Sequence, residues 1–335
     1  MKYIPADRLE PGMITTKPIY GKNMLILASN HELTTDTINA IRRNEISGLY
    51  IYDEYSDYEQ LNTILDESFR YNMVSAMKNF NIDQVIYMTG MIVDKVVGTG
   101  DHLMIDLQEL FTYDQDTFQH SINVSVLATT CGVGLGLGND DLENLALAGV
   151  LHDLGKRAIP KEILNKEGAL TDEERHAMMQ HPQCGYDMLY DNTNISAFVR
   201  SAILSHHENW DGSGYPNRLA GRDIPQFGMI IHVADVYDAL IRKRTYKDKF
   251  LQKEAVEYLM ANCGTMFDLD IVNTFLNYLV VYPVGSTVTL STGQAAHVVQ
   301  NRRKAIMRPV VVTEDDKTVI DLANDRKYLN VVIEE

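Results

Sequence analysis

The chain has 335 residues, 45% of them hydrophobic and 23% charged, which is ordinary for a globular protein with material for two or three domains. Its 46 acidic and 30 basic residues give a formal net charge of −16, which argues against a general nucleic-acid binder, because a polyanion needs a basic face. A small phosphorylated substrate stays compatible, since bound divalent cations reverse the local sign of charge. No apolar run reaches the roughly 18–20 residues of a membrane helix, so membrane insertion is not expected. The start, Met1-Lys2-Tyr3-Ile4-Pro5, lacks the apolar region of a secretion signal. Cys131, Cys184 and Cys263 are scattered and odd in number, which implies small core residues in a reduced, cytoplasmic setting rather than a disulfide framework.

In chain order, residues 1–58 read as a small α+β domain. Met13–Tyr20 and Met24–Ala28 form a candidate hairpin, Leu33–Asn44 a helix with Thr34 or Thr35 near its N-cap, and Leu49–Tyr52 a short buried strand. The acidic stretch Asp53–Glu59 marks a boundary. Residues 59–110 follow as a helical connector and candidate dimer contact. Residues 111–282 are almost all helical in pattern, with breaks at Gly132–Gly138, Gly155–Pro160, Asp211–Pro225 and Cys263–Leu269. From 283 to 335 short strands are expected at Thr287–Leu290, Ala295–Gln300, Val310–Thr313, Thr318–Leu322 and Val331–Ile333. The fold class is therefore mainly α, flanked by a small α+β segment and a small β subdomain.

The chemistry concentrates in the helical region. His206-His207-Glu208-Asn209-Trp210-Asp211-Gly212-Ser213-Gly214-Tyr215-Pro216 joins two adjacent histidines to a glycine-rich turn. His152-Asp153 ends the apolar run Leu145–Leu151, and Asp235 sits within the apolar Met229–Val236. A buried imidazole or carboxylate is costly unless paired or coordinated. Single histidines are usually satisfied polar residues. Several separate helices that each place an ionisable group in the core are reconciled by a metal cluster, because imidazole and carboxylate suit borderline divalent cations. Gly155 reads as the glycine that ends the His152 helix.

With those motifs set out, residues 111–250 resemble the HD-GYP domain, a subgroup of the HD phosphohydrolase superfamily. The carrying elements are His120-Ser121-Ile122-Asn123-Val124, His152-Asp153-Leu154-Gly155-Lys156 with Ile159-Pro160, and Lys166–Thr171 with Glu174. His181-Pro182, the double histidine with Gly214-Tyr215-Pro216, and Ala234–Leu240 complete them. The resemblance implies an all-helical metallohydrolase core holding two divalent metals, iron or manganese, and hydrolysing cyclic dinucleotides. It assigns His120, His152, Asp153 and Asp235 to one metal and Asp153, His181, His206 and His207 to the other. Asp116, one turn before His120, stands where some members carry a ligand to a third metal; its plainer reading is a helix cap.

The same resemblance gives Lys156 and Asp153 catalytic roles, with a metal-bridging hydroxide attacking phosphorus and Lys156 assisting a phosphoryl oxygen or the leaving group. Lys156 also reads simply as a cation at a helix end. Arg244 and Lys247, in the basic run Arg242–Lys249, would clamp phosphates, although such runs are commonly solvated. Tyr215 would cover the metal mouth, Asp238 would contact substrate or fix a ligand or Lys156, and Trp210 reads as loop packing. The expected activity is hydrolysis of cyclic di-GMP to linear pGpG, and on to GMP in some members. The alternatives are a cyclic GMP–AMP phosphodiesterase and a catalytically weak cyclic-dinucleotide sensor. A homodimer and a diguanylate cyclase partner are the implied assemblies.

Overall fold

The computed structural model describes residues 2–16, 19–21, 24–28, 30–44, 46, 48–52, 64–100, 103–105, 117–166, 168–241 and 252–334. The chain divides into two compact units, one made of 64–103 and 115–278, the other of 1–63, 104–114 and 279–335.

In the second of these, β1 (Lys2–Pro5) pairs antiparallel with β4 (Gly48–Ile51), and β2 (Ile19–Gly21) pairs with β3 (Met24–Leu27) as the expected hairpin. Between them α1 (Thr35–Arg43) starts at Thr34, whose side chain and that of Thr37 cap each other's backbone. Ile38 and Ile41 of α1 join Leu9, Leu27, Leu33 and Leu49 in one apolar cluster. The C-terminal residues form a four-stranded antiparallel sheet, β5 (Thr287–Thr289), β6 (Ala295–Gln300), β7 (Val310–Thr313) and β8 (Val319–Asp321), in chain order. In place of the expected strand at Val331–Ile333, an isolated bridge joins Ile333 to Leu290, the residue after β5, and Ser291 N–H bonds to the Val332 carbonyl at 2.8 Å.

The helical unit runs α2 (Glu67–Lys78), α3 (Ile82–Gly98), α4 (Thr117–Gly134), α5 (Asn139–Leu151), α6 (Lys161–Leu164), α7 (Asp172–Met178), α8 (His181–Met188), α9 (Ala197–Ser205), α10 (Gln226–Ile241), α11 (Gln252–Ala261) and α12 (Leu269–Leu276). Asp66, Thr171, Ser196 and Asp268 cap α2, α7, α9 and α12 through their side chains. Helix α4 is central: every residue from Ser121 to Cys131 is buried, so its sequence is apolar or small on all faces. At its crossing with α5, a Cβ on Gly149 would stand 2.8 Å from the Ser125 Cα, so only glycine permits that approach.

Two expectations change here. Residues 59–110 were read as a connector, yet α2 and α3 belong to the helical body, because Met73, Val85, Ile92 and Val93 are wholly buried and Val93 packs on Leu142 and Ala146. Gly155 does not end α5 in a left-handed turn. It lies in a 3-10 turn, Leu154–Ala158, outside the positive-φ glycines, and is demanded by space: a Cβ there would stand 1.9 Å from the His181 carbonyl oxygen and 2.5 Å from the Gly185 nitrogen. That contact brings the His152-Asp153 segment against the start of α8.

Candidate metal centre

Three of the histidines are aimed by one device. His152 at the end of α5, His181 just beyond α7 and His206 at the end of α9 each direct Nδ1 to the carbonyl three residues earlier. These acceptors are Gly149 (2.8 Å), Met178 (2.8 Å) and Ile203 (2.7 Å). A carbonyl only accepts, so Nδ1 carries the proton and Nε2 is left as the free lone pair. The spare carbonyls of helix ends thus fix both ring orientation and tautomer. His120, inside α4, uses a carboxylate instead: its Nδ1 lies 2.5 Å from Asp238 Oδ2.

The Nε2 atoms of His120, His152 and His181 converge on two carboxylates. His120 Nε2 is 2.9 Å from Asp235 Oδ1 and 4.0 Å from Asp153 Oδ2. His152 Nε2 is 3.3 Å from Asp153 Oδ2 and 3.9 Å from Asp235 Oδ1. His181 Nε2 is 3.4 Å from the other Asp153 oxygen, Oδ1. His207 completes the ring, its centroid 4.2 Å from His206 and 5.0 Å from His181. The donor atoms form two groups, His120–His152–Asp153 and His181–His206–His207, each with its atoms within 4.8 Å of one another. Asp153 turns one oxygen to each group.

The donor set fits a divalent cation. His152 Nε2 and Asp153 Oδ1 are buried without a hydrogen-bond partner. The Nε2 atoms of His181 and His206 face each other at 3.2 Å although each ring has committed its proton to Nδ1. Two opposed lone pairs at that distance repel, and a cation beside both removes the conflict.

The electrostatics divide the imidazoles. Burial lowers the pKa of His181, His206 and His207, with the neighbouring histidines adding to the effect; His207 falls to about 3. Burial acts the same way on His120, but its bonds to Asp235 and Asp238 outweigh it and raise the value to about 9. Asp153 and Asp235 are held well below the usual carboxylate range: burial opposes this, and Lys156 and His152 for Asp153, and His120 for Asp235, prevail.

Lys156 reaches back from its 3-10 turn and donates to Asp153 Oδ2 at 2.6 Å, with 28% of its side chain exposed. Asp238 was expected to contact substrate, or to fix a ligand or Lys156; it is wholly buried behind His120 and accepts from Asn123 Nδ2 at 3.0 Å, the place of an anchor for His120 rather than of a substrate contact. Tyr215 stacks on His207 with centroids 4.8 Å apart, and burial, then the charges of Asp235 and Asp153, keep its hydroxyl protonated. Arg244, Lys247 and Asp116 lie outside the described residues.

Several residues at the centre were not singled out beforehand. Glu208, 1% exposed, accepts the backbone N–H of Asn217 (2.7 Å) and Leu219 (3.0 Å), tying the loop after Tyr215 to the double histidine. Buried His232 meets Asn209 Oδ1 at 3.1 Å. Asn123 and Arg70 extend the Asp238 contact away from the centre. His232 and Asp235 are three apart on one apolar helix, a spacing that could have flagged the former. Trp210 lines a small cavity with Ile224, Met229, Met266 and Phe267, and its backbone N–H bonds to the Met266 carbonyl at 3.1 Å.

The profile of the HD domain family matches residues 103–271. A cyclic di-GMP phosphodiesterase of Pseudomonas aeruginosa is 38% identical over 208 residues, covering 62% of this chain and 50% of the relative. A 3'3'-cGAMP-specific phosphodiesterase of Vibrio cholerae is 36% identical over 190 residues, covering 53% of this chain and 36% of the relative. The chain thus spans half or less of the length of these two relatives. Among solved structures, Bd1817 of Bdellovibrio bacteriovorus, described as an HDG"Y"P protein, superposes with a TM-score of 0.53 at 18% identity, covering 82% of this chain and 97% of that one, a likeness of fold. The matched residues hold the His152-Asp153 pair, the double histidine and the Gly-Tyr-Pro segment together, and the chain belongs to the HD domain family.

Proposed function

We propose that the chain is a metal-dependent phosphodiesterase that hydrolyses cyclic di-GMP to linear pGpG. The observation that carries this reading is the pair of imidazole groups sharing Asp153, one on each of its oxygens. His120, His152, Asp153 and Asp235 would hold one cation, and Asp153, His181, His206 and His207 the other, iron or manganese by donor type. When bound, such a pair supplies charge stabilisation at the phosphoryl oxygens and a nucleophile at neutral pH.

The chain's own groups do the remainder. The helix-end carbonyls keep His152, His181 and His206 in the ligating tautomer without reorganisation. Lys156 Nζ, beside Asp153 and partly open to solvent, carries a proton that can pass to the departing ribose oxygen. Tyr215, stacked on His207, offers a neutral hydroxyl and an aromatic face to the substrate. Arg244 and Lys247 are assigned to the phosphates on their sequence offsets from Asp235.

A cyclic GMP–AMP dinucleotide is the second reading, favoured by the Vibrio cholerae relative named for that specificity. A homodimer and a diguanylate cyclase partner belong to the proposal on the family resemblance alone. The test is an anaerobic assay of purified protein with Mn2+ or Fe2+ and either cyclic dinucleotide, with products resolved by chromatography. Linear pGpG from wild type and none from Asp153→Ala is the expected result. Tight binding of cyclic di-GMP without product from metal-loaded wild type would overturn the enzyme reading in favour of a sensor.

A further inference from the structure

A chain of buried polar contacts leads from the metal centre to Arg70 on helix α2. Arg70, 3% exposed, donates from Nη1 to Asn123 Oδ1 (3.0 Å) and to Gln119 Oε1 (3.3 Å). Asn123, fully buried one turn after His120, donates from Nδ2 to Asp238 Oδ1 (3.0 Å). Asp238 offers its other oxygen to His120 Nδ1. Arg70 lies outside the residues matched by the HD domain profile, so the far end of this relay comes from this chain's own α2.

The direction of each link follows from hydrogen-bonding capacity. A guanidinium has donors only, so Asn123 must turn its oxygen towards Arg70. That settles the amide's orientation and aims its NH2 at Asp238. Asp238, with one oxygen so occupied, holds the other in line with His120 Nδ1. The ring is then fixed with Nε2 towards Asp153 and Asp235. Without Arg70, the amide of Asn123 could reverse and present an acceptor to an acceptor. Asp238 would then lose its second anchor, and His120 its fixed orientation.

We propose that Arg70 is a positioning residue for His120, acting through Asn123 and Asp238 to hold Nε2 at the metal centre. This rests on the metal-centre reading above. Outer partners of a ligating histidine typically change metal affinity by roughly 10–100-fold when removed, and Arg70 acts from two residues further out.

The test compares Mn2+ affinity, read by titration with electron paramagnetic resonance, in wild type, Arg70→Met, Arg70→Lys and Asn123→Ser, with circular dichroism confirming the fold. Arg70→Met and Asn123→Ser are expected to bind Mn2+ about 10-fold or more weakly, and Arg70→Lys, which keeps a donor, to recover most of the loss. The double variant Arg70→Met/Asn123→Ser is expected to bind no more weakly than the worse single one, because both break one relay. A folded Arg70→Met that binds Mn2+ within twofold of wild type overturns the proposal, as does an additive double variant. Should Arg70→Met not fold, Asn123→Ser alone decides, since it cuts the relay and keeps the cation. Cyclic di-GMP hydrolysis is assayed alongside. Wild type that binds Mn2+ without turnover sinks the substrate reading, while the Mn2+ comparison still rules on Arg70.

Discussion

Asp153 has more demands on it than any other residue at the centre. Its Oδ2 receives Lys156 at 2.6 Å and lies 3.3 Å from His152 Nε2, while Oδ1 has no partner beyond the 3.4 Å approach of His181. A carboxylate so placed stays ionised because the cationic side chain beside it offsets the cost of burial. The ammonium holds Asp153 charged, and on the function proposed above it would also stand ready at a leaving group. Lys156→Ala should lower kcat on cyclic di-GMP by roughly 10²–10⁴-fold, the usual weight of a positioned acid. Because Asp153 keeps its histidine neighbours, the variant should retain bound metal. Steady-state kinetics with metal analysis on the same sample check this, and a kcat within threefold of wild type would reduce Lys156 to a helix-end cation.

Among the elements, the loop after the double histidine shows how a charged side chain shapes backbone. Glu208 is buried with its carboxylate spent on two amides, Asn217 and Leu219, and Tyr215 N–H returns to the His207 carbonyl at 3.1 Å. Gly214 fits beneath them because a Cβ would stand 2.3 Å from the Asn209 nitrogen. Trp210 and Asp211 N–H bond in turn to the carbonyls of Met266 and Thr265, between α11 and α12. Glu208→Ala should strand two amides, at about 1–3 kcal/mol for each buried group left unsatisfied. Tyr215 would be released, and KM for the dinucleotide should rise more than kcat falls; an unchanged KM would show that Tyr215 does not depend on this clamp. Much of the element pattern was legible beforehand, since α1 with its Thr34 cap, the β2–β3 hairpin and the breaks around the metal-bearing helices all follow from local rules. The histidines and aspartates gathered at the centre were named beforehand through a family resemblance carried by motifs. What escaped was non-local: the need for glycine at 155 arises from a carbonyl on α8, and Arg70 acquires a role only because α2 packs against α4. No window of sequence holds both partners of either contact.

At the scale of the whole molecule, each compact unit carries its own apolar cluster, and the helical one also buries a set of ionisable groups with opposed preferences. His181, His206 and His207 are lowered from 6.5, so below that value the unfolded chain takes up protons that the native state resists. Native stability without metal must then fall as pH drops from 7 towards 5, by up to about 1.4 kcal/mol per pH unit for each such group. His120 has the opposite sign. Its native value of about 9 means that its contribution is complete below 6.5 and is lost as pH rises through 9. Asp153 and Asp235, both lowered, contribute above the ordinary carboxylate range and weaken the protein only in stronger acid. The metal-free protein should therefore melt highest at about pH 6.5–7 and lose stability on both sides. Cations compete with protons for the same Nε2 atoms, so the gain in melting temperature on adding Mn2+ should grow from pH 5 to pH 8. Calorimetric scans with and without Mn2+ across that range measure both effects. A flat metal-free profile between pH 5 and 7 would mean that these imidazoles take up protons in the native state as readily as in the unfolded chain, and buried, inward-facing lone pairs could not then be the feature that a metal completes.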